Sequence, residues 1–308
     1  MGTPEFAVPC LERLLHDGHG VAAVFTQPDK PKGRKMLLTP PPVKECARAA
    51  GIPVEQPAAL RGGEALAKLR GYAPELIVVV AYGKLLPPEV LALPEHGCIN
   101  VHASLLPKYR GAAPIQWALL NGESESGVTT MQMDAGLDTG DMLLQRRCGI
   151  PEDADAGELH KTLSVLGADA LAETLRLLTA GALVPQSQGN AQTTYAPMLS
   201  KALSPLDWNR PAAALHNQVR GLHPWPGAEA VLGGRRLKLR KSRAASEANA
   251  DRAPGTVWVE GGRVLVSCGS GTLELLELQP EGKRAMPAAE FMRGLHREGA
   301  LRFDCPPK

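Results

Sequence analysis

The chain has 308 residues and a mass of 32.7 kDa, enough for one large domain or two of ordinary size. Apolar residues make up 44% and charged residues 21% of the chain, which excludes wholesale disorder. The longest apolar runs are too short to span a bilayer, and no signal-peptide or transit-peptide pattern stands at the N-terminus. The 6 cysteines form no Cys-x-x-Cys pair, which argues against a metal site and predicts a reducing, cytoplasmic setting.

Helix and strand patterns alternate along the first two-thirds of the chain. Helices are predicted from Pro4 to the glycines at 18 and 20, and over 43–50, 64–70 and 157–180. Strands are predicted over 21–25, 76–81, 99–102 and 128–133. This alternation is typical of a doubly wound α/β domain with a mainly parallel sheet, in which ligands bind at the carboxyl ends of the strands.

A Pro- and Lys-rich loop over residues 27–42 interrupts this pattern. Sixteen irregular residues inside a compact domain usually indicate either a functional loop or a mobile one. The composition of the loop leaves both interpretations open.

The composition of the sequence and its pattern of predicted elements change after residue 183. Residues 184–205 are polar and have the composition of a linker. One predicted helix, 212–220, is followed by short strand patterns separated by Gly-rich turns, at 229–232, 235–240, 256–260, 263–267 and 272–278. This succession predicts a small β-barrel, so the expected domains are 1–183 and 206–308, joined by 184–205.

Basic residues concentrate in the predicted barrel. The whole chain has a net charge of only +2, but residues 206–308 carry 16 basic against 11 acidic side chains. Along 235–243, two leucines alternate with Arg236, Lys238 and Arg240, which predicts a strand with one buried and one cationic face. Such a face either binds a nucleic acid or is simply solvated.

The residues best suited to catalysis lie in the strand pattern at 99–102. Asn100 and His102 are two residues apart, so their side chains leave the strand on one face. An Asn amide can hold a developing oxyanion, and a His can move a proton. A later turn, 136–141, carries two carboxylates, Asp138 and Asp141, one of which could orient the imidazole. Each residue alone also fits a structural role, Asp138 as a turn former and His102 as a satisfied strand-end residue.

Several segments together resemble bacterial methionyl-tRNA formyltransferases, in their order and spacing: Gly2-Thr-Pro-Glu-Phe-Ala-Val-Pro9, Val80-Ala-Tyr-Gly83, Ile99-Asn-Val-His-Ala-Ser-Leu-Leu-Pro107, Arg110-Gly-Ala-Ala-Pro-Ile-Gln116, Gly127-Val-Thr-Thr-Met-Gln-Met133 and Gly136-Leu-Asp-Thr-Gly-Asp-Met142. The resemblance extends to Thr194-Tyr-Ala196 and His223-Pro-Trp-Pro226. It implies a Rossmann-like formyltransferase domain followed by an OB-like barrel. It also implies transfer of a formyl group from 10-formyltetrahydrofolate to the amino group of methionyl initiator tRNA, without a metal.

The resemblance assigns roles to individual positions. Asn100 would donate to the oxyanion, His102 would stabilise it and handle protons, and Asp138 would pair with His102. The folate would bind the turn and the pteridine pocket formed by Ser104, Leu105, Leu106, Pro107, Leu85 and Leu86.

The resemblance also implies tRNA contacts, in a monomeric protein. The loop 27–42 would grip the acceptor stem, with Arg34 at the position of the family's tRNA-contacting arginine. The expected tRNA-binding side chains are Arg34, Lys35, Lys201, Arg236, Lys238 and Arg240. Formyltransferases acting on amino sugars share the catalytic residues, and a non-enzymatic RNA-binding protein is a further alternative. The presence of the whole Asn100, His102 and Asp138 set argues against the second.

The start of the chain differs from this expectation. A doubly wound domain opens with a strand, and family members carry a short apolar strand just before Gly-Thr-Pro, whereas this sequence reaches its first helix at Pro4. We therefore expect that Met1 is not the natural start and that roughly 6–10 residues precede it. The sheet should then contain a groove at the position of this strand, because buried backbone groups need partners.

Overall fold

The structure, a computed structural model, describes residues 1–33, 36–189, 192–245, 252–295 and 301–304. It forms two compact units. The first contains Met1–Gly111, Ser126–Cys148 and His160–Ala196, and the second contains Ala112–Glu125, Gly149–Leu159 and the chain from Pro197 onwards. The helices, in chain order, are α1 (Val8–His16), α2 (Pro42–Ala49), α3 (Gly63–Gly71), α4 (Pro88–Leu91), α5 (Pro114–Leu120), α6 (Ala156–Thr179), α7 (Ala212–Leu222) and α8 (Ala288–Arg293).

The first unit is an α/β sandwich built around a mixed sheet. Its strands are β1 (Val24–Phe25), β2 (Lys30–Lys32), β3 (Leu37–Thr39), β4 (Val54–Glu55), β5 (Ile77–Val79), β6 (Cys98–His102), β7 (Arg110–Gly111), β8 (Glu125–Gln132), β9 (Met142–Gly149) and β10 (Tyr195–Ala196). The main sheet has the order β5-β6-β8-β9, in which β6 is parallel to β5 and antiparallel to β8. β1 pairs in parallel with β4.

Strand β6 is the buried centre of this sheet. All of its residues are buried, including the polar Asn100 and His102. Helix α6 approaches the strand closely, because a side chain at Gly167 would press on Val101 at 3.0 Å. A hydrogen bond of 2.7 Å between the hydroxyls of Thr130 and Thr174 joins α6 to β8. Helix α6 therefore covers the sheet closely at β6 and β8.

The loop at 27–42 contains an antiparallel hairpin, so the expectation of an irregular loop is wrong for this part. β2 pairs with β3, with Lys30 opposite Thr39 and Lys32 opposite Leu37. The side chains of Leu37 and Leu38 are both exposed. Because neither face of the hairpin is buried, the strands have no alternation of apolar and polar residues that the sequence could reveal.

A groove runs between β1 and β5, as the sequence led us to expect. Met1 and Gly2 form one end of a strand-like connection there, with Met1 N donating to Val78 O at 2.6 Å and Gly2 N donating to Phe25 O at 3.0 Å. The groove has a volume of about 770 Å³, and its lining includes Met1, Gly2 and residues 21–25 and 74–78. Burial lowers the pKa of the Met1 α-amino group to about 6.

The second unit is a nearly closed antiparallel barrel. Its strands are β11 (Ala228–Leu232), β12 (Arg235–Ala245), β13 (Thr256–Glu260), β14 (Arg263–Ser267), β15 (Thr272–Pro280), β16 (Met286–Pro287) and β17 (Leu301–Arg302). The order is β11-β12-β15-β14-β13-β17, and a bridge between Leu232 and Phe303 joins the two edges. Phe303 also stacks on the fully buried Trp208, with ring centroids 4.6 Å apart. An α/β unit followed by a barrel confirms the predicted fold class.

Strand β12 is longer than the sequence predicts because it contains a bulge. Its pairing with β15 shifts register between Leu239 and Ser242. Leu237 and Leu239 are buried before the bulge, and Ser242 is buried after it. The change of face interrupts the alternation at Arg240, which explains why the pattern stops there.

A buried histidine makes the second unit sensitive to acid. The His216 ring, on α7, hydrogen-bonds through Nδ1 with the Ser242 hydroxyl at 3.2 Å and through Nε2 with the Glu152 carbonyl at 3.1 Å. Burial lowers the pKa of His216. The unfolded chain, whose histidines have a pKa of about 6.5, therefore binds this proton more readily than the folded chain.

We predict that the free energy of unfolding falls as the pH drops from about 7 to 5, and that His216→Gln makes this dependence shallower. Urea unfolding of the two proteins across this range measures the difference. The same substitution at the exposed His19 is the control and should leave the slope unchanged. Equal slopes for the wild type and His216→Gln would contradict the prediction.

Candidate active site

Asn100 and His102 lie on one face of β6, as their spacing predicts. Both are buried, with 9% and 6% of their surfaces exposed. The Asn100 side chain makes no hydrogen bond with any residue that the structure describes. A nearly buried amide without a protein partner needs water or a ligand to satisfy it. Strand β6 thus places the unpaired amide donor of Asn100 beside the imidazole of His102.

The orientation of His102 is fixed by a backbone carbonyl. Its Nε2 lies 2.9 Å from the Tyr109 carbonyl oxygen. Because a carbonyl oxygen only accepts hydrogen bonds, Nε2 carries a hydrogen and, in the neutral ring, Nδ1 keeps its lone pair. Nδ1 lies 3.7 Å from Oδ2 of Asp138. The nitrogen that is free to take a proton therefore faces a carboxylate.

Asp138 reaches His102 from the turn between β8 and β9. Its backbone has a φ of 52°, in the left-handed region that non-glycine residues seldom adopt. Its Oδ2 accepts a hydrogen bond of 2.8 Å from the Gly111 N–H. At Gly111, φ is 117° and a side chain would press on the Ala196 carbonyl at 2.8 Å, so β7 needs a glycine at this point.

The turn at 104–107 is held by hydrogen bonds from the neighbouring strands. The Ser104 hydroxyl donates to the Lys108 carbonyl at 2.6 Å. The Thr129 hydroxyl donates to the Ser104 carbonyl at 2.7 Å and accepts from the Leu106 N–H at 3.1 Å. The Gln145 amide donates to the Leu106 carbonyl at 2.8 Å. These contacts fix the backbone of the turn, with Leu106 buried.

The structure separates the other predicted folate contacts. Leu105 and Pro107 are half-buried in the same turn. Leu86 packs into the apolar core with Tyr82 and Val90, whereas Leu85 is 81% exposed. The structure therefore does not place Leu85 and Leu86 on one surface.

The site includes residues to which the sequence gave no role. Thr129 and Gln145 support the 104–107 turn, and Gly111 holds the carboxylate of Asp138. The amide of Gln188 donates to the carbonyls of Asp138 and Gly140, at 2.8 and 2.7 Å. Gln188 belongs to the segment predicted as a linker, where nothing in the local pattern indicates a role in a site.

An ion pair between the buried Lys44 and the partly exposed Asp29 anchors the hairpin of β2 and β3 in the first unit. The Lys44 ammonium donates to both oxygens of Asp29, at 2.7 and 2.8 Å, and to Gln56 Oε1 at 2.7 Å. The Gln56 amide in turn donates to Asp29 and to the Gln27 carbonyl, both at 2.8 Å. Hydrogen bonds from Gln56 and then Lys44 lower the pKa of Asp29. Two predicted tRNA contacts, Arg34 and Lys35, lie outside the described residues.

The basic strand of the barrel is less cationic than its sequence predicts. Lys238 lies 3.7 Å from Glu229, and Arg240 lies 2.8 Å from Glu277. Arg236 is exposed and forms no ion pair within the described part of the chain. Lys201 is also exposed, in a short 3₁₀ turn. Acidic neighbours on β11 and β15 therefore neutralise part of the face.

None of the helices in the described ranges is long and apolar enough to cross a membrane. Within the same ranges, no group of three or more His, Cys, Asp or Glu side chains is arranged to hold a metal ion.

Comparison with solved structures shows how widely this fold is shared. WlaRD, a sugar 3N-formyl transferase crystallised in the presence of dTDP and 5-N-formyl-THF, aligns with a TM-score of 0.69 over 92% of this chain and 97% of that one, at 19% identity. An N-formyltransferase from Helicobacter canadensis, in complex with folinic acid and dTDP-3-aminofucose, aligns with a TM-score of 0.68 at the same identity. At this identity the likeness concerns the fold alone.

Sequence comparison is more specific. Residues 1–175 match the formyl transferase family, and residues 198–296 match the C-terminal domain of formyl transferases. The methionyl-tRNA formyltransferase of Geobacter sulfurreducens is 52% identical over 304 residues, covering 98% of this chain and 95% of that protein. The enzyme of the same name from Caldanaerobacter subterraneus subsp. tengcongensis is 51% identical over 96% of this chain and 95% of its own length. The chain therefore belongs to the formyl transferase family, together with the methionyl-tRNA formyltransferases.

Proposed function

We propose that Asn100, His102 and Asp138 carry out the transfer of a formyl group from 10-formyltetrahydrofolate to the amino group of methionyl initiator tRNA. The reaction yields N-formylmethionyl-tRNA for translation initiation. The observation that carries the assignment is the fixed imidazole of His102, whose free Nδ1 faces Asp138 at 3.7 Å on the same strand face as the unpartnered Asn100 amide.

The imidazole suits the proton transfer that this reaction needs. An amine that attacks a formyl carbon must lose a proton as the new C–N bond forms, and the departing folate nitrogen must gain one. Nδ1 of His102 can accept the first proton, because Nε2 is occupied by the Tyr109 carbonyl. The carboxylate of Asp138 then stabilises the imidazolium. The ring can return the proton to the leaving nitrogen, so no net charge remains on the protein.

The amide of Asn100 can stabilise the negative charge that the reaction develops. Negative charge develops on the formyl oxygen as the amine attacks. A neutral N–H donor in a nearly buried position stabilises such charge strongly, since little water competes for it. Asn100 is held by β6 between β5 and β8, so the donor needs no rearrangement before it acts.

The turn at 104–107 fits the folate co-substrate, which supplies the formyl group. Family members use formyl-tetrahydrofolate, and we propose the 10-formyl isomer for this chain. The turn combines half-buried Leu105 and Pro107 with a backbone fixed by Thr129 and Gln145. An apolar surface with a rigid backbone beside it is suited to a flat, partly polar ring.

We further propose that the protein acts as a cytoplasmic monomer.

The substrate itself is tested by a comparison of two acceptors. We expect formyl transfer to charged initiator methionyl-tRNA and not to a nucleotide-linked amino sugar, both supplied with 10-formyltetrahydrofolate. Transfer to the sugar amine in preference to the tRNA would overturn the assignment of the acceptor.

We predict that Asn100→Ala, His102→Ala and Asp138→Ala each lower kcat by about 10²-fold or more, with the fold intact. The effects should not add in the double variants, because the three side chains act on one transition state. Steady-state formylation of charged tRNA measures the loss. The exposed His96 provides the control, since His96→Ala should retain the wild-type rate. Wild-type turnover in a folded variant at 100, 102 or 138 would remove that residue from the mechanism.

The barrel is proposed to bind the tRNA through the face of β12. Phosphate contacts release counterions, so each contact contributes to the slope of log affinity against log salt. Arg236, which is not ion-paired in the described structure, can give its full charge to a phosphate, whereas Lys238 is shared with Glu229. Arg240 and Lys201 complete the proposed set.

We predict that Arg236→Ala lowers this salt slope by about 1, whereas Lys238→Ala lowers it by less. Filter binding of initiator tRNA across a salt series measures both slopes. The triple variant of Arg236, Lys238 and Arg240 should bind most weakly. An unchanged slope in the triple variant would show that the face is merely solvated.

The hairpin of β2 and β3 is proposed as a second tRNA contact, with Arg34 and Lys35 following β2 in the sequence. Its base is anchored by the ion pair of Lys44 and Asp29. Without this anchor the hairpin would have to be ordered each time tRNA binds, which costs binding free energy.

We predict that Lys44→Met raises the KM for tRNA about three- to tenfold while the KM for folate stays unchanged. Steady-state kinetics with each substrate varied in turn measures both constants. Lys68→Met is the matched control, because Lys68 forms only exposed ion pairs, with Glu55 and Glu64, outside the hairpin. An equal rise of KM for folate and for tRNA would argue against a role of the hairpin in tRNA binding.

A further inference from the structure

Gln188 connects a buried arginine to the turn that carries Asp138. The amide oxygen of Gln188 accepts two hydrogen bonds from Arg110, from Nε at 2.9 Å and from an Nη at 2.7 Å. The amide nitrogen of Gln188 donates to the carbonyls of Asp138 and Gly140, at 2.8 and 2.7 Å. The whole amide group is therefore used, and none of its hydrogen-bonding capacity is directed towards water.

Arg110 determines which way this amide points. Its side chain is only 4% exposed, and it has no carboxylate within ion-pair distance in the described ranges. A guanidinium only donates hydrogen bonds, so it can bind the oxygen of Gln188 and not the nitrogen. Because the oxygen faces Arg110, both amide hydrogens are left for the turn. A buried guanidinium that is paired with a neutral amide thus sets the direction of the chain of hydrogen bonds.

The turn needs this support because its backbone is strained at Asp138. Asp138 adopts a φ of 52°, which costs free energy for a residue with a side chain. At Gly140 a side chain would collide with the Gln132 carbonyl, so the turn packs tightly against β8. Gln188 binds the carbonyl of the strained residue and that of Gly140, two residues on. The other support of Asp138 is the Gly111 N–H, which holds its carboxylate at 2.8 Å.

We propose that Gln188, fixed by Arg110, is a positioning residue that keeps the carboxylate of Asp138 facing Nδ1 of His102. The inference rests on the role proposed above for Asp138. Gln188 itself acts on the backbone of the turn and takes no part in the proton transfer. Loss of its two donors lets the strained turn relax and moves the carboxylate away from the imidazole, where a displacement of about 1 Å is enough to slow a reaction strongly.

The test uses two substitutions that affect the anchor differently. Gln188→Ala removes both the acceptor for Arg110 and the two donors to the turn. Gln188→Glu keeps the acceptor for Arg110 and turns the contact into an ion pair, so the segment stays anchored, but it removes both donors to the turn. We expect kcat to fall about tenfold or more in both variants, while the KM values for folate and tRNA change less than about twofold. Gln186→Ala, at an exposed side chain in the same segment, is the matched control and should keep the wild-type kcat.

A double-mutant cycle with Asp138→Asn separates positioning from a general structural effect. If Gln188 acts through Asp138, then Gln188→Ala lowers kcat no further than about twofold in the Asp138→Asn background. The same loss in both backgrounds, or an unchanged kcat in Gln188→Ala and Gln188→Glu, would overturn the inference. These results differ from a failure of the proposed function, which would appear as wild-type turnover in Asp138→Asn alone. Thermal unfolding of each variant identifies any loss of folded protein.

Discussion

The hydrogen bond between His102 Nε2 and the Tyr109 carbonyl is the constraint on which the proposed chemistry depends. It closes the chain back on the end of β6 within seven residues, and it assigns the hydrogen of the ring to the nitrogen that faces away from Asp138. Without this acceptor, the hydrogen of the neutral ring could lie on either nitrogen. A single backbone acceptor therefore decides which nitrogen performs the chemistry.

The same segment supplies most of the other contacts of the site. Residues 103–111 leave β6, form the turn proposed for folate, place the Tyr109 carbonyl and end at the Gly111 N–H that holds Asp138. Polar side chains of β8 and β9, Thr129 and Gln145, bind the backbone of this segment where it would otherwise be unsatisfied. Buried polar groups that are fully bonded fix one conformation, which a catalytic arrangement requires.

Charges serve two different purposes in the two units. In the first unit, the ion pair of Lys44 and Asp29 and the guanidinium of Arg110 fix loops, and both cations are too buried to contact a nucleic acid. In the barrel, acidic residues of neighbouring strands compensate Lys238 and Arg240. The number of basic residues on a strand therefore overstates its charge, because charges on adjacent strands lie within a few ångströms of one another.

The sequence by itself determined the local features of this protein. The periodicity located many of the strands and helices to within a few residues, although it missed α5, β9 and α8. A spacing of two placed Asn100 and His102 on one face, because side chains alternate along any strand. The long strand β12 was cut short at Arg240, since a bulge changes the face that is buried. The hairpin of β2 and β3 left no signal, because neither of its faces is buried.

Only the tertiary structure decided the longer-range features. The residue pattern offers Asp138 and Asp141 equally as partners of His102, resemblance to a family selects Asp138, and the composition places Gln188 in a linker. Nothing in the local pattern of either segment indicates that the two meet, because their contact depends on how β7, β10 and the turn after β8 converge. The closure of the barrel through Leu232 and Phe303 likewise joins residues far apart in the chain. Local patterns follow from the geometry of one element, whereas these contacts join residues far apart in the chain, and their partners are fixed only when the whole unit has folded.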